Sequence, residues 1–105
     1  MSVLESILKE ELERLERNIA AYEEILSPLQ KGYIYVQSIR GHSYCYRKWR
    51  EGKKIKSAYI GEFGSAKAEQ AKKDYSERKR IEANLGALKK EKIKLEKALS
   101  HYKNS

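Results

Sequence analysis

Apolar side chains recur at alternating intervals of four and three residues in the first segment of the chain. They stand at positions 8, 12, 15, 19, 22, 26 and 29. This spacing is typical of a helix with one narrow apolar stripe, as in coiled coils. Pro28 lacks a backbone donor and disfavours helical geometry at Ser27, so we expect the regular helix to end or bend there.

The last segment carries the same kind of spacing, at positions 81, 85, 88, 95, 99 and 102, and Lys92 interrupts the stripe. Ser65 is the expected N-cap of this second helix. Both stripes need a partner, which is either the other helix or a second copy of the chain. We therefore expect a helical hairpin with a sheet at its tip, and the greater length of the second helix leaves room for a homodimer.

The segment between the helices alternates tyrosine with other side chains and is punctuated by glycine. It reads GYIYVQSIRGHSYCYRKWREGKKIKSAYIG from Gly32 to Gly61 and holds five tyrosines. Such alternation between glycines predicts short antiparallel strands. We expect them at Tyr33–Ile39, Ser43–Trp49 and Lys54–Ile60.

The turn lengths decide which side chains share a face, because successive strand residues point to opposite sides of a sheet. We expect a two-residue turn at Arg40-Gly41 and a three-residue loop, Arg50-Glu51-Gly52, that pairs Trp49 with Lys53. One face then holds Ile34, Val36, Cys45, Trp49, Ile55 and Tyr59. The other holds Tyr33, Tyr35, Tyr44, Tyr46, Lys48, Lys54 and Lys56. A meander this short needs a packing partner, so we expect helices to cover the apolar face.

These patterns predict one α+β domain over residues 1–105, in which two long antiparallel helices flank a three-stranded antiparallel β-meander. The domain consists of an acidic helix over 1–30, a basic tyrosine-rich meander over 32–61 and a basic helix over 65–103. Residues 1–30 carry seven glutamates against three basic residues, whereas residues 31–64 carry eight basic residues against two glutamates. The net charge of +8 favours anionic partners such as nucleic acid.

The tyrosine-bearing side of the meander has the composition of a nucleic-acid surface, because aromatic rings stack on bases and cations pair with phosphates. We expect stacking by Tyr33, Tyr35, Tyr44 and Tyr46. We expect phosphate contacts from Arg40, Arg47, Lys48, Arg50, Lys53, Lys54 and Lys56. Two alternatives to nucleic-acid binding stay open. In the first, the composition is purely structural, because tyrosine favours strands and lysine protects an exposed sheet from aggregation. In the second, the surface binds a protein.

Nothing in the sequence predicts catalysis or a cofactor. His42 and Cys45 lack the two further ligands that a zinc site needs. No nucleophile–base arrangement, phosphate-binding loop or dinucleotide fingerprint is present. The single cysteine excludes an intrachain disulfide, and the amino-terminal residues resemble neither a signal peptide nor a membrane span. We therefore expect a cytoplasmic protein that is not an enzyme and uses no metal or membrane.

Three runs carry a resemblance to known proteins: Gly-Tyr-Ile-Tyr, Ser-Tyr-Cys-Tyr-Arg-Lys-Trp-Arg-Glu-Gly-Lys-Lys and Tyr-Ile-Gly. They resemble short prokaryotic proteins, common near mobile elements, that hold a tyrosine-rich β-meander between helices. Residues 32–61 are also similar to the arm-type DNA-binding modules of phage integrases, which insert a three-stranded sheet into the major groove. The resemblance implies DNA contact through the sheet, but the long flanking helices are not part of the integrase module.

From these features we expect a non-catalytic nucleic-acid-binding protein, with duplex DNA slightly ahead of RNA as its ligand. The alternative is a protein–protein interaction module. In that case the coiled coil or the tyrosine-rich sheet would dock an enzyme or other protein partner, as small phage-encoded inhibitors do.

Overall fold

A computed structural model describes residues 2–103, so positions 1, 104 and 105 of the expected 1–105 domain lie outside the described residues. Helix α1 spans Val3–Leu26 and helix α2 spans Ala66–Lys103. Between them lie the strands β1 (Tyr33–Ile39), β2 (His42–Glu51) and β3 (Lys54–Glu62), paired antiparallel in the order β1-β2-β3. The predicted α+β layout is confirmed.

The helices begin and end where their sequences indicate. The Ser2 hydroxyl accepts a hydrogen bond from the Glu5 amide at 3.0 Å, and the Ser65 hydroxyl accepts one from the Ala68 amide at 3.2 Å. Ser65 is thus the N-cap of α2, as predicted, because its side chain satisfies a backbone donor that the helix leaves unpaired. Helix α1 ends at Leu26, two residues before Pro28, as predicted. The expected loss of helical geometry at Ser27 is wrong, because Ser27 has φ of −50° and ψ of −46° and donates its amide to the Glu23 carbonyl at 3.0 Å.

The chain forms two compact units. The helical unit contains α1 and the part of α2 that begins at Arg80. The sheet unit contains Leu29–Lys79, which includes the three strands and the first turns of α2.

The core of the helical unit lies on the predicted apolar stripes. Its buried side chains are Leu15, Ile19, Ile81, Leu85 and Leu99. The Glu23 carboxylate lies 3.4 Å from the Lys89 ammonium, and the Glu16 carboxylate lies 3.9 Å from that of Lys92. Lower numbers on α1 thus meet higher numbers on α2, so the two segments pack antiparallel. The ion pair with Glu16 explains how the stripe accommodates Lys92.

The first hairpin of the sheet has the predicted two-residue turn. Ile39 pairs with His42, and Arg40 and Gly41 form the turn with φ of +52° and +82°. Positive φ at both central positions is the pattern of a type I′ turn, whose twist matches that of the flanking strands. The arginine occupies a conformation that usually favours glycine or asparagine.

The second hairpin differs from its prediction. Its turn is Gly52-Lys53, and Glu51 pairs with Lys54, so Trp49 faces Lys56 instead of Lys53. Gly52 has φ of +61° at the first central position, as in a type II′ turn. Glycine adopts this geometry at little cost, and the tight turn also extends the strand ladder by the pairs that a three-residue loop would remove.

The changed turn moves β3 to the opposite orientation, because the register shift of three residues is odd. Ile55 and Tyr59 therefore share a face with the other tyrosines, and Lys54 and Lys56 lie on the opposite face. The assignments on β1 and β2 are right. Near its end β3 contains a bulge, since Tyr46 pairs with Tyr59 but Cys45 pairs with Gly61.

The face of the sheet that carries Cys45 is covered within the sheet unit by the start of α2. Cys45 and Ala68 are both fully buried. A Cβ atom placed on Gly61, the partner of Cys45, would lie 2.7 Å from the Ser65 hydroxyl and 3.8 Å from the Lys67 Cβ. The helix therefore starts on this side, and the absence of a side chain at Gly61 permits the close approach.

A side chain at Gly32 would be strongly destabilising. Its φ is +105°, and an added Cβ would overlap the Lys48 carbonyl and lie 2.9 Å from the Trp49 Cβ. We predict that Gly32→Ala lowers the free energy of unfolding by about 3 kcal/mol or more, since strain and backbone overlap add. Gly41→Ala is the control, because φ there is +82° but nothing lies within 4 Å. It should cost roughly 1 kcal/mol. Urea unfolding measures both, and equal losses would contradict the steric argument.

Candidate nucleic-acid interface

Five tyrosines lie on one side of the sheet, which we call the tyrosine face. Cross-strand pairing places Tyr35 opposite Tyr46, and Tyr46 opposite Tyr59. Because directly paired residues and every second residue along a strand share a side, the remaining members follow. The tyrosine face consists of Tyr33, Tyr35, Gln37, Ile39, His42, Tyr44, Tyr46, Lys48, Arg50, Ile55, Ser57, Tyr59 and Glu62.

The tyrosine rings form a continuous chain across the three strands. The ring centroids of Tyr33 and Tyr35 are 6.3 Å apart, and Tyr35 stacks on Tyr46 at 5.3 Å with an interplanar angle of 16°. Tyr46 meets the edge of Tyr59 at 5.6 Å, and Tyr59 lies 6.1 Å from Tyr44. Such pairs contribute about 0.5–1.5 kcal/mol each beyond the area they bury. The rings therefore support one another as a platform.

Exposure differs between the inner and the outer rings. Tyr35, Tyr44 and Tyr46 are half-buried, whereas Tyr33 and Tyr59 are 46% and 53% exposed. The hydroxyls of Tyr35 and Ser57 share a hydrogen bond at 2.9 Å, which links β1 to β3 across the face. The exposed aromatic surface is thus concentrated on the two edge strands.

Four of the predicted phosphate contacts lie on the tyrosine face or at its ends. Lys48 places its ammonium 5.3 Å from the Tyr35 ring centroid, and Arg50 follows on the same side of β2. Arg40 and Lys53 occupy the two turns, which lie at opposite ends of the sheet.

The other three predicted phosphate contacts lie on the opposite face. The Arg47 guanidinium stacks 3.9 Å from the Trp49 ring centroid and donates a hydrogen bond to the Lys31 carbonyl at 3.0 Å. The Lys56 ammonium forms an ion pair with the Glu51 carboxylate at 2.7 Å. Lys54 is the cross-strand partner of Glu51 in the hairpin. The seven cations are therefore not brought together, because the register of β3 and the alternation along β2 divide them.

Sequence reasoning missed Tyr59 and His42 as members of the tyrosine face. The His42 ring lies 6.5 Å from that of Tyr44. The three-residue loop expected at the second turn places Tyr59 on the apolar face, which is wrong. The signal that could have found it is Gly52, since glycine followed by another residue is typical of a two-residue type II′ turn.

The charge around Tyr59 is unfavourable for ionisation of its phenol. Its pKa is raised above the ordinary value by partial desolvation and by the carboxylate of Glu62, with smaller effects from Tyr44 and Tyr46. Tyr59 is therefore a neutral hydrogen-bond donor at neutral pH, and it adds no negative charge that would repel phosphate.

Residues 2–103 contain no cluster of three or more histidine, cysteine, aspartate or glutamate side chains able to hold a metal ion. Within the same range, neither helix is both long and apolar enough to cross a bilayer. Cys45 is a free, buried thiol.

The fold and this face define a class of protein, an α+β chain in which two helices flank a tyrosine-rich three-stranded sheet. Residues 5–64, which cover α1 from Glu5 onwards and all three strands, match the model of the family described as Domain of unknown function (DUF6788). The chain belongs to this family. No curated protein and no solved structure matches it, so the similarity to integrase arm-type modules stays a prediction.

Removing the Glu62 carboxylate tests the charge environment of the tyrosine face. We predict that Glu62→Gln lowers the pKa of Tyr59, measured by pH titration of the ¹³Cζ resonances in tyrosine-labelled protein. Because the folded pKa lies above the unfolded one, Tyr59 stabilises the fold below pH of about 10, and this contribution is lost as pH rises through the folded value. Glu51→Gln, on the opposite face, is the matched control and should leave Tyr59 unchanged. A shift of the same size in both variants would refute the assignment of Glu62.

Proposed function

We propose that the protein binds nucleic acid through the tyrosine face, with DNA as the first candidate ligand, and that it performs no catalysis. The observation that carries the proposal is the continuous chain of five tyrosine rings beside Lys48 and Arg50. Rings that meet bases and cations that meet phosphates are the two components of sequence-tolerant nucleic-acid surfaces.

The exposed rings at the sheet edges are the stacking positions in this proposal. Tyr35 and Tyr46 already cover one another, so their stacked ring surfaces are not free for a base. Tyr33 and Tyr59 each leave about half of their surface to solvent. A base that stacks on an aromatic ring contributes about 1–3 kcal/mol, and only an unpaired base presents its ring face. The geometry therefore favours single-stranded or locally opened DNA over an intact duplex.

The cations run along β2 and beyond its two ends. This strand has ten residues and is about 30 Å long at the usual rise per residue. Arg40 and Lys53 lie in the turns at its ends, and Lys48 and Arg50 lie on the tyrosine face between them. We expect four phosphate contacts from these residues, and a log–log slope of binding against salt of about −3 for a single strand. Seven contacts, the set expected from the sequence, would give a slope of about −5.

Docking of a protein is the second candidate, and one observation favours it. Ile39 and Ile55 lie on the tyrosine face and are largely exposed, and Ile55 is 62% accessible. Tyrosine, arginine and exposed apolar side chains together are typical of protein interfaces. A protein partner would use the same rings with little dependence on salt.

The two faces of the sheet provide a matched pair of charge reversals. We predict that Lys48→Glu weakens binding of a labelled single-stranded DNA at least tenfold, because it places a carboxylate beside the stacked rings. Lys54→Glu makes the same charge change on the opposite face and should weaken binding much less. Fluorescence anisotropy with single-stranded DNA, duplex DNA and RNA probes at several salt concentrations measures both. Equal losses would exclude the tyrosine face, and an absence of binding at low salt would exclude the function.

Two alanine substitutions test the stacking positions separately from charge. Tyr33→Ala and Tyr59→Ala should each cost about 1–3 kcal/mol in binding to the same single strand. Tyr75→Phe in α2 is a control that lies off the sheet. Wild-type affinity in both sheet variants would contradict stacking, even if the charge reversal at Lys48 behaved as expected.

A further inference from the structure

The helical unit is closed on one side and open on the other. On the closed side two ion pairs, Glu16–Lys92 and Glu23–Lys89, bridge the helices. On the open side there is a groove of about 680 Å³, lined by small or polar residues together with larger apolar ones. Asn18, Ala21, Tyr22 and Ile25 line it from α1, and Asn84, Ala87 and Leu88 line it from α2.

The groove continues into a stripe of exposed apolar side chains along α1. Leu4, Ile7 and Ile25 are each about half exposed and, with Ala21, recur at intervals that place them on one side of a helix. On α2 the same helical spacing extends the groove side to Glu91, Lys94 and Ala98. We call the whole surface the open face: Leu4, Ile7, Glu11, Arg14, Asn18, Ala21 and Ile25 of α1 with Asn84, Ala87, Glu91, Lys94 and Ala98 of α2.

Charge indicates what covers this surface. Helix α1 carries seven glutamates and three basic residues, and α2 from Arg80 onwards carries seven basic residues and three glutamates. A second copy related by a two-fold axis parallel to the helices would place each α1 over the α2 of the other copy. Opposite charges then face one another, and all neighbouring helices are antiparallel. A two-fold axis across the helices would instead stack acidic α1 on acidic α1, which is unfavourable for the helices as a whole, although on the open face itself each helix carries one acidic and one basic residue.

The individual residues of the open face are complementary under the same operation. An axis parallel to the helices preserves height, so residues that face one another across the groove in one copy also meet between copies. Asn18 would meet Asn84. Arg14, which forms an ion pair with Glu11 and lies within the electrostatic reach of Glu91, would meet Glu91 of the second copy, and Glu11 would lie close to Lys94.

We propose that the open face is the dimer interface of this protein, and that two copies form an antiparallel four-helix bundle. Ala21 and Ala87 allow the helices of the two layers to approach closely, and the asparagines set the register at some cost in affinity. The contact is about 33 Å long and roughly 20 Å wide, so it buries about 1,200 Å² in total, near the lower end for specific complexes. The proposal does not depend on nucleic-acid binding.

Two adjacent alanines allow a sharp test. Ala21 lines the groove, whereas Ala20 is exposed and lies outside it. We expect wild-type protein to have twice the 12.3 kDa mass of one chain in light scattering at tens of micromolar. Ala21→Glu should raise the dimer dissociation constant at least thirtyfold, because it places a carboxylate in the interface, and Ala20→Glu should leave it within about threefold. Circular dichroism verifies that both variants keep their helices.

The axis is tested by pairing two cysteine variants. A chain with Asn18→Cys mixed with a chain with Asn84→Cys should form a disulfide-linked heterodimer, and Cys45 is too buried to compete. Efficient crosslinking of Asn18→Cys to itself would overturn the parallel axis. A monomeric mass for the wild type, or equal effects of Ala20→Glu and Ala21→Glu, would overturn the interface.

Discussion

The two-residue turn at Gly52-Lys53 determines what the sheet presents to solvent. Side chains alternate along a strand, so a change of one residue in a turn moves a whole strand's side chains to the other face. With this turn, Tyr59 joins the four tyrosines of β1 and β2, and Lys54 and Lys56 leave them. The ring chain then extends from one sheet edge to the other. A positive φ at Gly52, which other residues reach only with strain, is therefore the local condition on which the composition of the candidate site depends.

On the opposite face of the sheet, Arg47 has a structural role. Arg47 stacks on Trp49 and donates a hydrogen bond to the Lys31 carbonyl, so its charge ties the segment before β1 to the middle strand. Cys45 is buried on the same face near the start of α2. Arginine and tryptophan in a basic segment suggest nucleic-acid contact, but here they are in contact with one another. The basic residues of the middle segment are thus divided between the two faces of the sheet, and Arg47 is held in contacts within the fold.

The helical unit has a small core, since its two stripes bury five apolar side chains among the residues that the structure describes. A hairpin of two helices can bury one stripe per helix, and the sides of the stripes remain open to solvent. On one side acidic and basic residues close the gap, and on the other small and apolar residues leave a groove. The family match covers α1 from Glu5 onwards and the sheet, so the residues of α1 that line the groove lie within the matched region.

Much of this fold could be predicted from local patterns. The stripes, Ser65 as N-cap, the helix end before Pro28, the first hairpin and the faces of β1 and β2 all follow from interactions between residues close in sequence. What only the tertiary structure decided was the pairing of β3, and with it the membership of Tyr59 and the exclusion of Lys54 and Lys56. A three-residue and a two-residue turn are both compatible with the residues around Gly52. The choice between them depends on the total energy of the strand ladder and its packing, which no local pattern contains.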